Sequence, residues 1–381
     1  MKQQGKTTPA NFTIGHATRL IFEMTTPEDD YRPVSVVGSF NNWNLDSGIV
    51  ELERIREGFY RGSILFPHKN NILLEYKYIK GGWDDLETDA YGNTHQHRTV
   101  ELTGTEITVK DEVPGWLKKG KYYREELLPK IEILQEEFDI PQLIKTRRIA
   151  ALLPHDYYET DKRYPVLYLQ DGQNLFDDFA PFGNWGLDKR LAMMAERAAP
   201  QFIVIAIDHA KEKRIAEFTP SYKTRLGVGD GKKYARFLAD TLKPFVDKQF
   251  RTLPGREFTG IGGSFMGGLV SLYTGFLFPQ VYSKLLGFLP SLWVDPDIVT
   301  KTAQFGEGSP FKLYLYTGGE EGANLVTQAN HFLHTLQGQV KKGWKINVKT
   351  SFNPKGKHNE ADWGAEFPRG AEWLFSDITN P

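Results

Sequence analysis

Hydrophobic positions change their rhythm partway along the chain, near residue 131. Before that point they come in short runs with β-branched or aromatic content, at residues 19–24, 34–38, 58–66, 75–79 and 98–102. Turn-forming clusters separate the runs: Pro27-Glu28-Asp29-Asp30, Asn41-Asn42, Lys69-Asn70-Asn71 and Tyr91-Gly92-Asn93. No sustained 3.6-residue period appears, so residues 1–103 are predicted to form a small all-β sandwich. Residues 104–130 read as a linker, because Pro114-Gly115-Trp116 breaks regular structure and Lys118-Lys119-Gly120-Lys121 is charged and flexible. Trp116 is then expected to dock between two domains.

From residue 131 strands and helices alternate. Residues 131–136 and 147–153 are expected as paired strands. Residues 165–169 and 202–207 are continuous apolar runs, the pattern of strands buried on both faces. Helical spacing appears at 187–199, 232–250, 324–336 and from Glu366 onward; in the second of these, Phe237, Leu238, Leu242, Phe245 and Val246 fall on one side. Further strands are expected at 285–289, 312–316 and 345–351. The alternation predicts an α/β domain over residues 131–381, with a parallel sheet covered on both faces and functional loops at the carboxyl ends of its strands.

Composition narrows the partners. Lys plus Arg number 47 and Asp plus Glu 48, a net charge of -1, which gives no electrostatic case for nucleic acid or an anionic membrane. With no cysteine there is no disulfide, thiolate metal site or cysteine nucleophile. The nine His include one close pair, His95 and His97, and no HExxH pattern, so neither a metal nor a cofactor is expected. No apolar run reaches transmembrane length. The N-terminal residues lack an apolar h-region, so the chain as written is expected in the cytoplasm; a secreted or periplasmic location stays open if it is a trimmed mature form. Asn11-Phe12-Thr13 matches a glycosylation sequon, a tripeptide too common by chance to carry weight.

The candidate chemistry centres on Thr259-Gly260-Ile261-Gly262-Gly263-Ser264-Phe265-Met266-Gly267-Gly268-Leu269. An apolar strand leads in and a helical pattern leads out, the setting of a nucleophile elbow in an α/β-hydrolase. Residues two before and two after the apex of an elbow must be small, or strand and helix collide. With Ser264 at the apex, one flank is Met266, which is too large. With Phe265 at the apex, the flanks are Gly263 and Gly267, and both fit. Sterics therefore place Phe265, which has no nucleophilic atom, at the nucleophile position.

Two further strand ends supply partners. After residue 316 comes Thr317-Gly318-Gly319-Glu320-Glu321-Gly322, and after residue 351 comes Pro354-Lys355-Gly356-Lys357-His358-Asn359-Glu360. Taken singly, a Gly-flanked Glu is a turn residue and a loop His is solvated. Together they give the hydrolase order of elbow, acid and His. His358 is the expected general base and Glu321 the residue that orients it, with Glu320 as the alternative acid.

In the first segment, Trp43 and Trp83 fall in turn-like sequence, where an exposed indole offers a flat apolar plate for the C–H face of a sugar; the alternative is that both pack on the core. Val36-Val37-Gly38-Ser39-Phe40-Asn41-Asn42-Trp43 followed by Glu75-Tyr76-Lys77-Tyr78 and a Trp resembles a starch- or glycogen-binding carbohydrate module. The resemblance implies a sugar platform of Trp43 and Trp83, although another alignment puts Leu86 in the second place. Where that family tends to have Asn before Arg, this chain has His97-Arg98.

The second segment resembles the putative-esterase family, which includes enterochelin and feruloyl esterases. The resemblance lies in Tyr168-Leu169-Gln170-Asp171-Gly172-Gln173-Asn174-Leu175-Phe176-Asp177, Asn184-Trp185-Gly186-Leu187-Asp188, Gly267-Gly268-Leu269-Val270-Ser271-Leu272-Tyr273, Pro290-Ser291-Leu292-Trp293 and His358-Asn359-Glu360. It implies an α/β-hydrolase fold, a serine nucleophile at the place of Phe265, and an oxyanion hole of backbone N–H groups from Met266 and from Gln173 beside Gly172. Three readings follow: an impaired or pseudo-esterase that keeps its pocket for a carbohydrate or carbohydrate ester, an active esterase using Ser264, or a nucleophile mutant of an active carbohydrate esterase.

Overall fold

The computed structural model describes residues 17–67, 72–94, 96–180, 183–302, 310–320 and 322–378. The chain forms two compact units, Met1–Tyr122 and Tyr123–Pro381.

The first unit holds strands β1 (Ala17–Thr25), β2 (Val34–Gly38), β3 (Val50–Arg56), β4 (Phe59–Pro67), β5 (Ile72–Ile79), β6 (Glu87–Thr88), β7 (Arg98–Leu102), β8 (Glu106–Glu112) and β9 (Gly115–Trp116). Seven of them make one sheet in the order β7-β5-β2-β3-β4-β1-β8. β3 is where the sheet turns: Val50 and Leu52 pair with β2, whereas Glu53 and Arg54 pair with β4. The far ends are drawn together by side chains. Tyr76 and Tyr78 of β5 each donate to Asp111 Oδ2 of β8 at 2.7 Å, and Arg98 of β7 donates to Asp111 Oδ1 at 2.9 Å. The sheet thus wraps a core that includes Phe22, Val36, Tyr76, Tyr78 and Leu102.

Two expectations are corrected here. The predicted linker over 104–130 starts too early: residues 106–112 are β8, parallel to β1, and β9 pairs with β6. In β8, Ile107 and Val109 pack on the core while Glu106, Thr108, Lys110 and Glu112 face out. The charged outer face made a half-buried strand look like a polar connector. Trp116, expected as an inter-domain dock, belongs to the first unit's core. It is 3% exposed inside the first unit's core, and its indole N–H donates to Thr26 Oγ1 at 3.0 Å.

The second unit contains β10 (Lys130–Ile140), β11 (Lys145–Leu153), β12 (Val166–Gln170), β13 (Ile203–Ile207), β14 (Thr259–Ser264), β15 (Lys284–Phe288), β16 (Phe311–Gly318) and β17 (Ile346–Asn353). Its helices are α1 (Leu187–Glu196), α2 (Arg214–Phe218), α3 (Gly231–Arg236), α4 (Lys243–Gln249), α5 (Phe265–Leu277), α6 (Ile298–Thr302), α7 (Ala323–Val340) and α8 (Glu360–Phe375). The sheet order is β10-β11-β13-β12-β14-β15-β16-β17. β11 is antiparallel to both of its neighbours, and from β13 onward every pair is parallel. β12 to β15 are buried at every residue, as expected of central strands of a parallel sheet covered on both faces. A π-helical segment, Phe237–Leu242, joins α3 to α4, so the amphipathic stretch is one continuous helical run. α8 begins at Glu360 rather than at Glu366, because the Asn359 side chain caps it by accepting from the Asp362 N–H at 2.9 Å.

Candidate active site

The junction of β14 and α5 is tightly constrained. Ser264 is extended, with φ -109° and ψ 154°, and 7% exposed. Phe265 follows with φ 50°, in the left-handed region that costs an L-residue about 1–2 kcal/mol. The turn is tight on both sides of Phe265. A Cβ added to Gly263 would sit 2.9 Å from the Gly267 carbonyl carbon, and one added to Gly267 would sit 2.7 Å from Asp171 Oδ2. A side chain at Gly263 would push β14 away from α5, and one at Gly267 would press on Asp171 and on Gln170 Cβ, 3.0 Å away at the end of β12. Met266 is 1% exposed and belongs to the core. The Phe265 ring is partly buried, and it meets the His358 ring edge-on, with centroids 4.7 Å apart and planes at 89°.

His358 stands in the exposed loop between β17 and α8, and its ring also meets Trp363 of α8, at 4.9 Å and 80°. Backbone pairing brings the loop after β16 alongside: Gly319 N–H donates to Asn353 O at 2.8 Å and Glu320 N–H to Gly356 O at 3.1 Å. The Glu320 side chain is exposed. Glu321, the expected acid, lies outside the described residues, as does the Asn11 sequon.

A second polar group that the sequence reading did not single out gathers at the same strand ends. Asp171, with φ 60° and 5% exposed, accepts two hydrogen bonds from the Arg214 guanidinium of α2, at 2.6 and 2.8 Å. Asn174 donates to Glu360 Oε1 at 3.3 Å. Burial pushes the Glu360 carboxyl above its usual range, and Asp171 adds to that, against the opposing charges of His358 and Arg214. Asp171 and Glu360 stand inside motifs that were recognised as wholes, so their partners Arg214 and Asn174 were not visible. Arg214 sits in a charged run, Lys211-Glu212-Lys213-Arg214, and carried no signal.

The loop after β12 is pinned. A Cβ on Gly172 would clash with Asp208 Oδ1 at 2.6 Å and with the Ile207 backbone at 3.0 Å. The Gln173 side chain donates to His209 O at 3.1 Å and accepts from His209 N–H at 2.9 Å. Residues 172–174 form a single 3-10 turn, and the first N–H groups of such a turn and of α5 have no acceptor within their own helix. Those groups include the N–H of Gln173 and of Met266.

In the first unit, Trp43 and Trp83 come together, with ring centroids 6.3 Å apart. His97 lies against Trp43 at 4.2 Å with planes tilted 35°, and its Nδ1 is 3.1 Å from Glu75 Oε2. Trp83 is 41% exposed and Trp43 half-buried. Trp43 has φ 60° after Asn42 at 54°, and the Asn41 side chain holds the turn by accepting from Gly38 N–H and donating to the carbonyls of Asn44 and Ser47. Leu86 is half-buried. Among the described residues no group of three or more His, Cys, Asp or Glu is arranged to hold a metal ion, and no helix is long and apolar enough to cross a membrane.

Comparison with known proteins adds the following. The model of the family described as "Putative esterase" matches residues 141–374. The uncharacterized protein YbbA of Bacillus subtilis (strain 168) is 22% identical over 240 residues, 60% of this chain and 92% of that protein. An amylopullulanase of Thermoanaerobacterium thermosulfurigenes is 34% identical over 104 residues, 26% of this chain and only 5% of that protein. Among solved structures, the enterobactin esterase FES from Shigella flexneri with enterobactin aligns at TM-score 0.53 and 14% identity, covering 94% of this chain and 93% of that one. At that identity the likeness speaks for the fold, an α/β-hydrolase with a β-rich domain before it.

Proposed function

The chain belongs to the putative esterase family, and from that premise we propose that it is an ester-hydrolase scaffold that binds its ligand without efficient turnover, with a glycan-binding first unit. The observation that carries this reading is the backbone of Phe265, left-handed at a strand-to-helix turn between two glycines that tolerate no side chain. A nucleophile elbow has that geometry, and a phenyl ring has no atom to attack a carbonyl. The reading that makes Ser264 the nucleophile is weaker: Ser264 is extended and 7% exposed, on the strand side of the turn.

The remaining parts of a hydrolase have counterparts. In a chain with Ser at 265, the hydroxyl would pass its proton to His358 as its oxygen bonds to the ester carbon, and His358 would return that proton to the departing alcohol. Negative charge on the carbonyl oxygen would fall to the N–H groups of Met266 and Gln173. Glu321, with Glu320 or Glu360 as alternatives, would orient His358. With Phe265 in place the same donors suit a small carboxylate or the carbonyl of an unreacted ester. For the first unit, the paired indoles of Trp43 and Trp83 and the similarity to an amylopullulanase support a glycan as the second ligand.

The test is turnover of p-nitrophenyl acetate by the chain and by Phe265→Ser. Loss of a nucleophile from such a site costs roughly 10³ to 10⁶-fold in turnover, so the variant is expected to be faster by at least the lower figure. Equal rates, with the activity of the unaltered chain abolished by Ser264→Ala, would transfer the role to Ser264.

A further inference from the structure

His209, just past the end of β13, is half-buried in the wall of a cavity of about 530 Å³ that also takes in Gln173 and Asp208. We infer that His209 is a ligand-binding residue of the ester site: it donates Nε2–H to a neutral oxygen (hydroxyl, ether or carbonyl) that an ester carries away from its reacting carbonyl. The position of that carbonyl at the Phe265 turn rests on the ester-scaffold reading; the donor itself does not. The residue is tied down on both sides. The Gln173 side chain holds its backbone through two hydrogen bonds. Its Nδ1 accepts from the Lys211 N–H at 2.9 Å, and Lys211 itself is on left-handed backbone, at φ 50°. An Nδ1 that accepts leaves the proton of the neutral imidazole on Nε2. Burial holds the ring below its usual pKa and the charge of Asp171 offsets this only in part, so the neutral form is the one present at pH 7.

That proton is unspent and within reach. Among the described residues nothing bonds Nε2, and it is not one of the sealed, unpartnered nitrogens, in contrast to Nε and Nη1 of Arg147 in the same wall. A donor already held in one direction binds a ligand with little further ordering to do. The neighbouring charges say which ligand. Asp171 is answered by Arg214 at 2.6 Å and Asp208 by Arg148 at 3.0 Å. Paired off in this way they give an anion no net attraction, and a neutral N–H matches a neutral oxygen. The sheet sets the reach. Gln170 of β12 pairs with Ile207 of β13, and Leu169 with Gly262 of β14, so His209 and the Phe265 turn leave strands two spacings apart, about 10 Å. An acetyl group is too short to bridge that gap, whereas an acyl chain with a hydroxyl at its far end is not.

The test compares two esters that differ only at the far end, methyl 6-hydroxyhexanoate and methyl heptanoate, each titrated into the full chain while NMR follows the ring nitrogens of His209 and His358. The hydroxy ester should bind about three- to tenfold more tightly than its methyl counterpart, the worth of one hydrogen bond, and should shift His209 Nε2 saturably. His209→Phe keeps a ring and drops the donor, so the ratio of the two affinities should fall to about one. The ratio is the decisive quantity, because a loop that had merely loosened would weaken both esters together. Should that variant not fold, the Nε2 shift and the ratio in the unaltered chain decide alone. Equal affinity for the two esters in the unaltered chain, with Nε2 unmoved, overturns the inference. So does a preference for the hydroxy ester that persists in a folded His209→Phe chain. The ester-scaffold reading fails by a different sign: an Nε2 response to the hydroxy ester, with His358 unmoved and no p-nitrophenyl acetate turnover in Phe265→Ser, keeps the His209 donor and removes the carbonyl from the Phe265 turn.

Discussion

Trp43 in the first unit and Phe265 in the second both stand on left-handed backbone, and the two are put to opposite uses. Trp43, at φ 60°, stands in a turn tied by Asn41, and its ring joins His97 and the exposed ring of Trp83 in one surface group. Phe265, at φ 50°, is squeezed between glycines, partly buried, and edge-on to His358. Such backbone costs about 1–3 kcal/mol wherever it occurs and persists only where the surroundings over-determine it. The strain alone therefore does not tell a binding plate from a plug. What the ring meets does: other rings and solvent in one case, a histidine and the core in the other.

The comparison can be broken most forcefully at Phe265. In the Phe265→Ser background, His358→Ala should remove about 10³-fold or more of the gained p-nitrophenyl acetate turnover, because hydroxyl and imidazole act as a unit. A gain that survives loss of His358 would mean that opening space, rather than restoring a nucleophile, created the activity. The next largest effect belongs to the scaffold beneath the tryptophans. Arg98→Ala strands the fully buried Glu87 as well as Asp111, and should cost the first unit about 3–5 kcal/mol in urea unfolding followed by tryptophan fluorescence. A cost under about 1 kcal/mol would show that water replaces the guanidinium. Trp43→Ala and Trp83→Ala should each weaken retardation of the full chain in amylopectin electrophoresis roughly tenfold. Retardation that survives both changes moves the glycan site elsewhere.

The smallest effect concerns Glu360. Its folded-state carboxyl is raised above the unfolded value of 4.5 by burial, so the stability it contributes is fully present below about that pH and is lost as pH rises through the folded value. Glu360→Gln should therefore melt about 1–2 °C higher than the unaltered chain at pH 8, with the difference closing by about pH 4. A difference of the opposite sign at pH 8 would mean that Arg214 and His358 outweigh burial.

Legibility in the sequence followed the physics of burial. The apolar runs at β12 and β13 read plainly, because a strand covered on both faces has no reason to carry polar residues. The steric argument that puts Phe265 rather than Ser264 between small flanks needed only the positions of Gly263, Gly267 and Met266. β3 and β8 were missed because half of each faces water: Glu51, Glu53 and Arg54 on one, Glu106, Lys110 and Glu112 on the other. The start of α8 was placed late because its signal is one capping Asn359 and not a change of period. Arg214 could not have been found, since nothing in a charged surface run says which member turns inward to a buried Asp171.

The pairing of β8 with β1 has a consequence for how the first unit comes into being. Arg19 finds its parallel partner Glu106, and Thr25 its partner Glu112, only after the whole intervening meander has been made. A ribosome that has released residues 17–103 has delivered neither the edge strand nor Asp111, so Tyr76, Tyr78 and Arg98 emerge without their common acceptor. Closure of this unit is thus a late, non-local event of the kind that slows folding, and until it happens β1 offers an open edge to neighbouring chains. Anyone excising the module for separate expression should cut after Tyr122, because a fragment ending at 103 would be trapped at that unfinished stage.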